Sequence, residues 1–122
     1  MAKKIVIVED SSVIFKITKI LQMAGYEVLV IQPNQGQKLC EVLDAMSNFK
    51  PDLVLLDHEL GYGVAFDGNE VKKSLVRFPE EKIVSISGDY RSYCKHNWNN
   101  KKFIGEDDFK NDFLSIIQKI LG

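Results

Sequence analysis

The chain has 122 residues, 45 % hydrophobic and 27 % charged, with a net charge of −1. This length supports one domain, residues 1–122, with its own core, and lysines interleaved with acids leave no basic stripe for direct nucleic-acid binding. No apolar run approaches the ~20 residues of a membrane-spanning helix, nothing resembles a signal peptide, and the two cysteines, Cys40 and Cys94, read as free thiols of a reducing cytoplasm.

The predicted elements alternate along the chain. Residues 4–9, within KKIVIVED, form a strand. Ser11 or Ser12 caps a helix on which Ile14, Ile17 and Leu21 recur at helical spacing, and Gly25 stops it. Residues 26–31 (YEVLVI) form a second strand. A turn with Pro33, Asn34 and Gly36 leads to a helix carrying Leu39, Val42, Leu43 and Met46 on one face, which Pro51 breaks. The third strand starts near Asp52 and ends at Asp57; the glycine-rich loop from Gly61 to Gly68 follows. The next helix carries Val71, Leu75 and Val76 and ends near Pro79. Residues 82–87 (KIVSIS) form a fourth strand, residues 89–99 a short helix of mediocre helix formers, and residues 102–105 a fifth strand. A last helix begins near Asp108 with Phe113, Ile116, Ile117 and Ile120 inward. The expected fold is α/β: a (βα)5, doubly wound, five-stranded parallel sheet.

Two of the strands end in acid. KKIVIVED closes on Glu9 and Asp10, and PDLVLLD closes on Asp57. Continuous apolar runs belong to strands buried on both faces, hence to a parallel sheet whose strands share one C-terminal edge. Three carboxylates would then crowd the edge where open α/β sheets bind ligands. Like charges that close repel, so the cluster calls for a hard cation. A plainer reading makes Glu9 and Asp10 a pair favoured by the dipole of the following helix, and Asp57 a strand-end cap.

These residues, taken in order, resemble the response-regulator receiver domain, a flavodoxin-like fold, over essentially the whole chain. The matching pieces are Glu9-Asp10, Asp57, Phe66-Asp67-Gly68 at the start of a helix, Ser87 followed by Gly88, and Phe103 as the switch aromatic. The resemblance implies that Asp57 takes a phosphoryl group from a histidine kinase or a phosphotransfer protein. It implies Mg2+ held by Asp10, Asp57 and the backbone carbonyl of Glu59, with Glu9 bound directly or through water. Ser87 would hydrogen-bond the phosphoryl group, and Phe103 would turn inward and alter the face offered to a downstream effector protein. Such a module is a phospho-acceptor that assists its own phosphorylation and dephosphorylation, not an enzyme, and its setting is cytoplasmic.

The chain also departs from the pattern. Three residues beyond Phe103, where the family places lysine and then proline, stand Glu106 and Asp107. Two unit charges ~4 Å apart at an effective dielectric of ~20 interact by roughly 4 kcal/mol, so reversing a sign there matters. The alternative is therefore a pseudo-receiver that docks proteins without phosphate. The loop from Asp57 to Gly68 is about three residues longer than usual, and the segment from Ser87 to Phe103 about three shorter. A flavodoxin-like cofactor binder is disfavoured: EDSSV, after the first strand, puts acids where a nucleotide phosphate would sit. Cys94 and His96 with distant Cys40 lack zinc-site spacing, and His58, facing the other way from Asp57, reads as a satisfied or exposed loop histidine rather than a ligand or base.

Overall fold

The computed structural model describes residues 2–9, 13–58, 60–61, 63–86, 96–97 and 108–122. The sequence-predicted Ser11/Ser12 cap, and the strand over 102–105, lie outside the described residues. Five strands form one parallel sheet: β1 (Lys4–Val8), β2 (Glu27–Ile31), β3 (Leu53–Leu56), β4 (Ile83–Ser85) and β5 (His96–Asn97). Their order is β2-β1-β3-β4-β5. The chain thus reverses direction across the sheet between β1 and β3, the topological switch point of a doubly wound sheet. Four helices are described: α1 (Val13–Met23), α2 (Leu39–Phe49), α3 (Gly68–Ser74) and α4 (Asp108–Leu121).

Period-two alternation sorts the buried strands onto two faces. Ile5, Ile7, Leu53, Leu55, Val84 and Ile86 pack against Ile17 and Leu21 of α1 and Phe113 and Ile117 of α4. Val6, Val8, Val54, Leu56 and Ile83 pack against Val42 and Met46 of α2 and Val71 of α3. Each such side chain contributes about 1.5–3 kcal/mol over leaving it in water. This double coverage is why the strands read as unbroken apolar runs.

Helix ends follow local chemistry. Gly25 adopts φ 96°, the left-handed turn that ends α1. At the start of α2 the Glu41 carboxylate accepts from the Lys38 N–H at 2.9 Å. That helix closes on Lys50 at φ 57°, whose N–H donates to the Met46 carbonyl, and Pro51 bars continuation. The Asp67 carboxylate caps α3 by accepting from the Glu70 N–H at 2.9 Å.

Two expectations are revised. The helix after the glycine-rich loop ends at Ser74, leaving Leu75 as its cap and Val76 in solvent, 83 % exposed. The restricted backbone before Pro79 and the turn at 76–78 end it a turn early. The fifth strand position is filled by His96–Asn97, inside the segment read as a short helix, pairing Val84 with His96 and Ser85 with Asn97. His and Asn are weak helix formers, and the edge of β4 offers backbone groups that need partners.

Candidate functional site

The register of the sheet brings two acids together. β1 and β3 pair through Val8 and Leu56, and Glu9 and Asp57 follow one residue later on each strand. The backbone stays zipped past the strand ends: the Asp57 N–H donates to the Val8 carbonyl at 2.9 Å and the Glu9 N–H to the Ile31 carbonyl at 3.3 Å. Both acids are buried at this edge, Glu9 at 1 % and Asp57 at 9 % exposure. A carboxylate out of water is costly unless its charge is met. Two buried acids at the ends of neighbouring strands place carboxylate oxygens at the C-terminal edge of the sheet.

The loop after β3 is built around Asp57. Its Oδ1 accepts from the His58 N–H at 2.9 Å. The His58 carbonyl accepts from the Gly68 N–H at 2.8 Å, closing the loop on itself at the start of α3. A Cβ on Gly68 would fall inside the van der Waals contact of the Asp57 carbonyl oxygen, so only glycine lets α3 start this close to the acid. Within the loop Gly61 and Gly63 take φ 116° and 79°. Leu60 and Phe66, both buried, anchor the loop in the apolar cluster beneath. The length that reads as pliable in sequence is therefore pinned at Leu60 and Phe66.

Ser85 completes the described part of the site. It is a polar residue, 9 % exposed, in an otherwise apolar strand. With Leu56, Asp57, His58 and Gly68 it bounds a void of about 10 Å3, room for one water. The sequence reading passed over Ser85; its signal is a lone hydroxyl among KIVSIS. His58 is half-buried beside this void.

Of the sequence-predicted site residues, Glu9 and Asp57 are thus brought together. Asp10, Glu59, Ser87 and Phe103, and with them Glu106, lie outside the described residues. Among the described residues no group of three or more His, Cys, Asp or Glu could hold a metal ion. The donors that are described, two carboxylates, are hard oxygens. They suit Mg2+ or a similar cation rather than a soft metal.

Comparison with solved structures was decisive for the fold. A CheY-like response regulator receiver domain from Methanospirillum hungatei superposes with a TM-score of 0.71 at 25 % identity, covering 99 % of this chain and 94 % of the other. The BeF3-activated N-terminal receiver domain of Klebsiella pneumoniae RstA gives 0.73 at 21 % identity, covering 98 % of each chain. This is a receiver-domain fold. The N-terminal domain of the nisin resistance regulator NsrR agrees, at a TM-score of 0.70 and 24 % identity over the full length of both chains. No protein-family profile matches the sequence, and no curated relative does. In receiver terms, the described acids sit at the sheet edge, at the ends of the first and third strands. Among the described residues no helix is long and apolar enough to cross a membrane.

Proposed function

We propose that this receiver serves two-component signalling, with Asp57 as the phosphoryl acceptor. The observation that carries the reading is the pair of buried acids, Glu9 and Asp57, level with each other at the ends of neighbouring parallel strands. A carboxylate oxygen of Asp57 attacks the phosphorus of a phosphohistidine on a kinase or phosphotransfer protein. The P–O bond forms as the P–N bond breaks, and the departing imidazole keeps the electron pair and takes a proton from water. The carboxylates of Glu9, Asp10 and Asp57 and the backbone carbonyl of Glu59 would hold Mg2+. Bound there, the cation supplies the charge neutralisation that an anionic nucleophile and an anionic phosphoryl group require. The Ser87 hydroxyl donates to a phosphoryl oxygen, and Phe103 responds by repacking, which changes the surface read by an effector protein. Hydrolysis of the acyl phosphate resets Asp57, so the protein assists a cycle without turning over a substrate of its own. The setting is cytoplasmic, with no direct contact to nucleic acid or membrane.

The test is intact-mass measurement after incubation with acetyl phosphate and Mg2+. One added phosphoryl group is expected, absent from Asp57→Asn and absent when the cation is chelated. An adduct that survives Asp57→Asn would move the acceptor elsewhere.

A second reading rests on Glu106. An acid where receivers carry lysine favours a docking module that works without phosphate. It is supported if wild type takes up no phosphoryl group while Glu106→Lys does.

A further inference from the structure

The early end of α3 leaves a mark on the surface. Beyond Ser74 the chain caps on Leu75 and turns, with the Phe78 N–H donating to the Leu75 carbonyl at 3.1 Å. Between this turn and α2 opens a cavity of about 400 Å3. Buried Met46 and Val54 line it, with half-buried Leu43, Leu75 and Phe78. Val76, which also lines it, is 83 % exposed. Two exposed charges of opposite sign complete the lining, Asp44 on α2 and Arg77 on the turn. Among the described residues neither forms an ion pair; Lys72 and Glu80 do, at 3.3 Å.

One patch therefore holds an apolar hole, an apolar knob, and both a cation and an anion. A small apolar ligand would fill the hole and leave the charges of Asp44 and Arg77 unanswered. A surface that contains both halves of each contact is what an isologous pair needs, because a twofold axis sets every residue of the patch against its counterpart. We propose that the α2–turn face pairs two copies of this chain about a twofold axis. Val76 of each copy enters the other's cavity, and Arg77 of each faces Asp44 of the other, so the charge contact is made twice. Pro51, also on the cavity, precedes β3, while Asp57 follows it. The pairing face and the acid edge are thus at opposite ends of the strand, and association leaves Asp57 open. The inference does not depend on Asp57 accepting phosphate.

Sedimentation velocity on the full chain, without Mg2+ or phosphodonor, tests it over a concentration series up to about 1 mM, the weak limit of specific association. A monomer–dimer equilibrium is expected. Arg77→Asp and Asp44→Arg should each weaken it by about tenfold or more, since like charges then meet across the axis. The double exchange Asp44→Arg/Arg77→Asp should restore it. Val76→Asp should abolish it. All these positions are exposed, and unchanged far-UV circular dichroism checks that each variant folds. In wild type alone, hydrogen exchange at residues 43–47 and 75–78 should speed up on dilution. A wild type that stays monomeric, or a dimer that ignores Arg77→Asp, or a double exchange that fails to rescue, overturns the proposal. Phosphoryl labelling of Asp57 would be unaffected by any of these results.

Discussion

At the scale of single residues, the acid edge depends on what its neighbours lack as much as on what they carry. Gly68 has no Cβ, and the Asp57 carbonyl occupies the space one would take. Gly68→Ala should therefore cost about 1–3 kcal/mol, the usual price of overpacking against atoms that cannot yield, read as a lower midpoint in urea unfolding. Because the displaced atom is the backbone of Asp57 itself, the labelling rate of that aspartate should fall as well. Loss of stability with an unchanged labelling rate would mean that the loop relaxes without moving the acid. Glu9 and Asp57 were legible in the sequence because an acid ending an apolar strand is an abrupt change of chemistry. Ser85 was not: one hydroxyl in a short strand is common, and only the register beside Leu56 shows that it lies under the acid. The anchoring role of Leu60 was equally hidden, since a single leucine in a glycine-rich loop has no period to reveal it.

At the scale of elements, legibility tracks how much of the signal is local. β1, β3 and β4 were readable because burial on both faces demands unbroken apolar runs, and β2 because its apolar run stands between clear turns even though it is half-buried at the sheet edge. α1, α2 and α4 were readable because one face of each repeats at helical spacing. The end of α3 was misread because Leu75 and Val76 extend an apolar pattern that the turn before Pro79 cuts off. β5 at His96–Asn97 was not legible because two residues carry no period at all; the open edge of β4 selects them. β5 runs parallel to β4, so it too points toward the acid edge.

At the scale of the whole molecule, the sheet divides its labour between its two ends. The N-terminal side of β3 is tied by structural contacts: the Asp52 carboxylate accepts from the Lys4 N–H at 2.8 Å, and the Lys4 ammonium donates to the Phe49 carbonyl while lying 5.4 Å from the Phe49 ring centre. The other end gathers buried negative charge at Glu9 and Asp57. On the proposed reading Mg2+ is held at this edge, so stability and metal binding are linked. Saturating Mg2+, at about 100 times its dissociation constant, would add about 2.7 kcal/mol if the unfolded chain binds none. For a domain of this size that is on the order of a 10 °C rise in thermal midpoint. Asp57→Asn removes one of the proposed ligands. It should therefore gain less from Mg2+ than wild type, whose melting midpoint rises as the cation is added. Parallel curves, with Mg2+ raising both by the same amount, would place the cation somewhere other than the acid edge.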